Sequence, residues 1–324
     1  MSGLVEQPFI DLYLSEDYSD MRGLPGQATH RMPVPSEYVQ ECAEIRAACV
    51  EMQRREEEPE FALVMKGRMF RVTTIRDVRG QDVFVLRRSD TQLREISQLG
   101  LTPKLVDLIH SRSAHGIVLC VGEMSSGKSS TIASMLSSRL RTVGGIAIAI
   151  EDPPETDLNC EHGLGRCIQI RASKKNGGYK EQLVRAVRSG AQTILIGEVR
   201  DGDTALQMVQ SGINGHLILG TMHAGSIQQG IERLISLARE RAPNAADLVA
   251  SGLAAICHLS LVPSPDGTKN ILKCNTLILD DESTGVRSQI RTGKFAGVQD
   301  AADQQSRQTT WQKPQVPLGS RRNT

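Results

Sequence analysis

The sequence predicts an α/β fold built on a mostly parallel sheet, and three observations carry that prediction. Four short apolar runs, Ile117 to Val121, Ile146 to Ile150, Thr193 to Ile196 and His216 to Leu219, are separated by helix-length segments. Continuous runs of this kind are strands buried on both faces. Every run hands over to polar residues, so the chemistry gathers along one sheet edge, where open α/β sheets bind ligands. The first run also leads into Gly122-Glu-Met-Ser-Ser-Gly-Lys128-Ser129, a glycine-framed loop before a segment with Ile132, Met135, Leu136 and Leu140 at helical spacing.

Taken in order, residues 1 to about 110 read as a smaller α+β domain. Phe9 to Leu14 alternates like a strand, and Tyr38 to Arg55 reads as a helix. Arg68 to Val72 and Val83 to Arg87 are strand-like, with Arg76 and Arg79 in the turn between them. Glu56-Glu57-Glu58 is expected to be a solvated loop or helix end. Residues 111–295 hold the four buried strands, and Asp203 is placed to cap the helix after the third of them. From 296 to 324 the chain is rich in Gln, Ser, Thr and Arg and is expected to be a disordered tail.

The loop has the composition of a phosphate cradle. Glycine permits the tight turn and the close approach, backbone N–H groups and the helix N-terminus face the anion, Lys128 meets the outer phosphates and Ser129 is suited to Mg²⁺. The binding set is therefore Gly122, Glu123, Met124, Ser125, Ser126, Gly127, Lys128, Ser129 and Ser130. The other three runs deliver Glu151-Asp152, Glu198-Val199-Arg200-Asp201, and Thr221-Met222-His223. Singly, Glu198 or His223 could equally be an ordinary strand-end residue; together they make a site.

Composition excludes several alternatives. Formal charge is +1 and aromatics are 3%, so the chain lacks the basic excess and stacking platforms of a general nucleic-acid binder. No apolar stretch approaches the ~18 residues of a membrane span, and the N-terminus does not read as a secretory signal. The seven cysteines include no C-x-x-C pair, and Cys160 and Cys167 are expected to be free thiols.

On these motifs the chain resembles the type II/IV secretion ATPase superfamily, the PilT/GspE class. The phosphate loop ends in Gly127-Lys128-Ser129; Ile150-Glu151-Asp152-Pro153-Pro154-Glu155 is similar to the acidic box; Ile194 to Asp201 is similar to Walker B; Gly215-His216 to His223 is similar to the histidine box. Leu183 to Arg188 resembles the paired-arginine helix, and Leu99 to Leu108 the connection into the core. Two departures stand out: Met124-Ser125-Ser126 replaces the usual Thr-Gly-Ser, and Gly285 to Lys294 matches the retraction motif only loosely.

The resemblance implies a RecA-like P-loop NTPase core with a PAS-like N-terminal domain. It implies an ATP hydrolase using ATP and Mg²⁺, with Ser129 and Glu198 at the metal, Glu198 ranked ahead of Glu151 for orienting water, and His216 and His223 sensing phosphate. Arg71, Arg79 and Arg87 would close on the nucleotide from the N-terminal hairpin; the plainer alternative is an edge hairpin protected by charge. A homohexamer is implied, in the cytoplasm and peripherally docked to inner-membrane components, with no direct nucleic-acid binding. The short chain is most like the TraJ/DotB-type conjugation and type IV secretion ATPases. Pilus retraction, or a nucleotide-gated scaffold with negligible turnover, are the alternatives.

Overall fold

The computed structural model describes residues 3–26, 30–88, 93–264 and 270–311. Its first part comprises β1 (Asp11–Leu14), β2 (Ser19–Arg22), β3 (Met32–Pro33), α1 (Val39–Glu56), β4 (Glu60–Met65), β5 (Arg68–Arg76) and β6 (Asp82–Arg88). Among the described residues the strands form one sheet in the order β3-β2-β1-β6-β5-β4, antiparallel throughout. Cys42, Ile45 and Cys49 recur at helical spacing on α1 and pack with Leu12, Phe61, Phe70, Phe84 and Leu86. Register places Arg22, Asp11, Arg87 and Arg71 in one row across adjacent strands.

The second part runs through α2 (Pro103–His110), β7 (Gly116–Gly122), α3 (Lys128–Thr142), β8 (Gly145–Glu151), β9 (Glu161–His162), β10 (Gly165–Arg171), α4 (Gly178–Arg188), β11 (Thr193–Ile196), α5 (Gly202–Ile213), β12 (Leu217–His223), α6 (Ile227–Arg239), α7 (Ala245–Gly252), β13 (Leu253–Pro263), β14 (Asn270–Ile278), α8 (Thr284–Thr292) and α9 (Phe295–Trp311). The sheet order is β14-β13-β7-β12-β11-β8-β10-β9. Strands β13 through β10 are parallel, and the two edge strands are antiparallel. The four apolar runs are thus the adjacent central strands β7, β12, β11 and β8. Alternate residues serve opposite faces: Ile117, Leu119 and Val121 pack with α5 and α6, while Val118 and Cys120 pack with α2 and α3. That two-sided burial is why these strands are apolar without interruption.

Four expectations need correction. The division near residue 110 falls earlier, because Ile96, Leu99, Leu105 and Ile109 are buried in the second core with α3. The expected tail is ordered through Trp311 as α9. Val298 and Ala302, one turn apart, are fully buried, and the Gln305 amide pairs with both the N–H and the carbonyl of Ile278 on the edge strand β14. Polar residues here complete a sheet edge; residues 312–324 lie outside the described residues. Glu56 does end α1 and Glu57 is exposed, but Glu56 and Glu58 are mostly covered, both drawn onto Arg171. Finally, Asp201 caps α5 by accepting from Thr204 N–H at 2.8 Å, while Asp203 pairs with Arg241 and Lys180.

Candidate functional site

The glycine-framed loop joins β7 to α3 at the carboxyl edge of the sheet. A side chain on Gly122 would collide with the Leu259 carbonyl and the Ser126 hydroxyl, and Gly127 adopts φ +90° at the start of α3, so both positions demand glycine. Ser125 also adopts a left-handed φ of +60°, at the position where the resemblance leads one to expect glycine. Lys128 is 8% exposed, and its Nζ donates to the carbonyls of Gly122 at 2.9 Å and Glu123 at 2.7 Å. Burial lowers the pKa of this ammonium, and the nearby Glu198 and Glu123 carboxylates oppose that shift. Ser126 Oγ is buried with no hydrogen-bond partner among the described residues. A cationic ammonium, an orphaned hydroxyl and the N–H groups opening a 15-residue helix fit a phosphate chain. Glu123, Met124 and Ser125 form the exposed lip, and Ser129 and Ser130 begin α3 half-buried.

Strand register brings the other groups to this edge. His223 ends β12 directly opposite Gly122 of β7. Glu198, just past β11, receives Arg200 Nη2 at 2.5 Å and lies 3.5 Å from His223 Nε2. Val199 N–H donates to Thr221 O, and Thr221 Oγ1 donates to Gly197 O, locking the two strand ends together. Arg233 donates to His223 O from α6. One strand, β12, thus separates the loop from the Glu198 carboxylate.

Glu151 ends β8, the next strand over, and is 7% exposed. Its Cγ lies against Gly197, where an added side chain would crowd it at 3.0 Å. Burial pushes its pKa up to about 7, against the opposing hydrogen bond from Gln169 Nε2 at 2.5 Å; Glu155 adds to the rise. Sequence reasoning found Glu151 and missed Gln169, since β10 carries no motif.

Three expected members stand elsewhere. His216 precedes β12 at its opposite end, where its carbonyl accepts from Gly116 N–H. Seven strand positions at ~3.3 Å each separate it from His223 by roughly 23 Å, so within one chain it does not join the cluster. Arg87 is committed to Asp11, which is fully buried and also held by Arg22. Burial raises the Asp11 pKa, but the two guanidiniums outweigh it and hold the carboxyl below its ordinary value. Arg79 is exposed in the β5–β6 turn, and Arg76 belongs to β5, paired with Asp82. Of the hairpin arginines, Arg71 reaches the second domain, 3.7 Å from Glu155 in the acidic box.

A residue the sequence did not flag joins the two parts. Arg171, at the end of β10, has a side chain 12% exposed and donates to Asp152 at 3.0 Å, Glu56 at 3.1 Å, Glu58 at 2.7 Å and the Glu60 carbonyl.

Residues 53–309 match the family model described as Type II/IV secretion system protein. The chain is 30% identical over 274 residues to the type IV pilus ATPase PilU of Pseudomonas aeruginosa, covering 82% of this chain and 69% of that protein. It is 27% identical to the type IV pilus retraction ATPase PilT of the same organism, covering 89% and 87%. With the type II secretion system protein E of Klebsiella pneumoniae it shares 37% identity over 54% of this chain, which spans 35% of that longer protein. The fold is similar to a crystal structure of the pilus retraction motor PilT with bound ADP, with TM-score 0.74 and 24% identity over 92% of this chain and 88% of that one. It is also similar to the ATPase DotB of Legionella pneumophila, with TM-score 0.72 and 16% identity over 93% and 88%. The expected RecA-like core with a smaller α+β N-terminal domain is the observed fold, the sheet of that domain being antiparallel.

Proposed function

The chain belongs to the Type II/IV secretion system protein family, and on that premise we propose that it is an ATP hydrolase whose turnover drives an envelope secretion or pilus machine. The observation that carries the reading is the register of His223 with Gly122, which brings the Glu198 carboxylate beside the phosphate loop and Lys128. In phosphoryl transfer the protein's work is positioning and charge neutralisation. Lys128 and the loop N–H groups hold the phosphates, with Ser129 and Glu198 supplying oxygens suited to Mg²⁺. The chemistry such an ion would supply there is neutralisation of phosphate charge. Glu198 orients the attacking water, and His223 links Glu198 to the phosphate loop. Glu151, whose pKa of about 7 suits proton transfer at neutral pH, accepts the water's proton. Arg71 adds a cation from the N-terminal domain when the two domains close.

The family resemblance supports a homohexamer in the cytoplasm, docked to inner-membrane components. Similarity in fold to DotB and the loosely matched segment at Gly285 to Lys294 support type IV secretion or conjugative transfer as the machine served. Pilus retraction is the second reading, supported by the alignment with PilU and PilT along most of this chain. Phosphate release tests the activity: Lys128→Ala abolishes ATP binding, and Glu198→Gln retains binding while turnover falls by at least ~10²-fold. A wild-type chain with no turnover would support the scaffold alternative. Restored pilus retraction in a retraction-deficient host would select the second machine.

A further inference from the structure

The carboxamide of Gln169 has both N–H donors and its oxygen engaged. Its Oε1 accepts from Leu158 N–H at 3.1 Å. Its Nε2 donates to the Thr156 carbonyl at 2.8 Å and to Glu151 Oε2 at 2.5 Å. A backbone N–H needs an acceptor and a backbone carbonyl needs a donor, so the amide cannot flip without orphaning both. The group aimed at Glu151 is therefore always a donor. Register explains the reach: Gln169 opposes Ala149 and Arg171 opposes Glu151 on parallel strands, so Gln169 and Glu151 are diagonal neighbours on one face. The Gln169 backbone is anchored too, its N–H donating to Asn159 Oδ1 at 3.1 Å. A donor fixed in this way favours the ionised form of a carboxyl that burial would otherwise keep protonated.

We propose that Gln169 is a positioning residue that holds Glu151 as an oriented carboxylate at the reactive edge of the sheet. The kinetic part rests on Glu151 accepting the water's proton; the electrostatic part does not. The loop 156–158, tied to the same amide, is the second thing it positions, so a shift of that loop would disturb the charge state of Glu151 as well as its orientation.

The test is an infrared titration of the full-length chain across the neutral range, following the protonated-carboxyl band that Glu151→Gln removes. Gln169→Met keeps the side-chain length and deletes the donor. The band's pH midpoint then rises by roughly one unit. In parallel, the acid limb of kcat against pH moves to higher pH by a similar amount, with KM for ATP unchanged and the rate recovering in alkaline solution. A purely structural role would lower kcat at every pH and leave the midpoint alone, which would overturn the proposal. If Gln169→Met does not fold, Gln169→Asn, one methylene too short to reach, must move the midpoint in the same direction. A moved midpoint with an unmoved kinetic limb would uphold Gln169's hold on the carboxylate and remove Glu151 from proton transfer.

Discussion

Arg171 Nη2 lies 2.7 Å from Glu58 Oε2, and this contact joins the core sheet to the turn that follows the N-terminal domain's long helix. The same guanidinium serves Glu56 and Asp152, with side chains 18% and 29% exposed. Arg171→Ala leaves three carboxylates crowded together without their common cation. Partial exposure places the expected loss between surface and buried pairs, at about 2–3 kcal/mol. Urea unfolding measures it, and Arg171→Lys recovers only part because the three donors of an ammonium sit on one nitrogen and cannot span partners spread around a planar guanidinium.

Arg71 and Arg87 face each other across β5 and β6 yet are expected to fail differently. Arg87→Ala strips one of two cations from fully buried Asp11 and costs about 1–3 kcal/mol in stability, with turnover per folded molecule unchanged. Arg71→Ala, facing the acidic box, lowers kcat by more than ~10-fold with little change in KM, the signature of a contact made in the transition state. Steady-state kinetics beside thermal melts separate the two.

Ser125 occupies a left-handed backbone position at the lip of the phosphate loop. Ser125→Gly relieves that strain and raises stability by up to about 1 kcal/mol, whereas Ser125→Val, β-branched, loses about 1–2 kcal/mol. Denaturant midpoints of the three proteins should fall in the order Gly, Ser, Val.

The raised pKa of Glu151 makes stability pH-dependent. Below pH 4.5 the carboxyl is protonated folded or unfolded and contributes nothing. Between 4.5 and about 7 the folded chain keeps a proton that the unfolded chain has lost, so stability falls as pH rises through that window. Glu151→Gln removes this penalty. The variant matches wild type in acid and exceeds it at alkaline pH by on the order of 3 kcal/mol, read from unfolding at both ends of the window.

The sequence made the central sheet legible because β7, β12, β11 and β8 are buried on both faces and carry uninterrupted apolar runs. Their polar ends followed directly. What stayed hidden depends on partners far apart in the chain: Arg171 meets Glu56 over 115 residues, and Gln169 meets Glu151 across two strands whose pairing has no local signal. The separation of the two histidines was hidden as well: the histidine box reads as one motif, whereas the six residues between His216 and His223 carry them to opposite ends of β12. The helix α9 was missed for a related reason: its polar residues satisfy the edge of β14, a role invisible until that edge is known.

The distribution of thiols has a practical consequence. Cys42, Cys49, Cys120, Cys167 and Cys257 are buried, Cys274 is partly covered and Cys160 is exposed. Cys160 follows Asp157 and Asn159, which line a cleft of about 400 Å³ whose opposite wall is Phe61, Val64 and Met69 of the N-terminal domain. Burial raises its pKa, so labelling calls for mildly alkaline buffer. A fluorophore attached there would need no engineered cysteine, and its emission would report, in real time and in solution, whether the joint between the two domains moves as nucleotide is added.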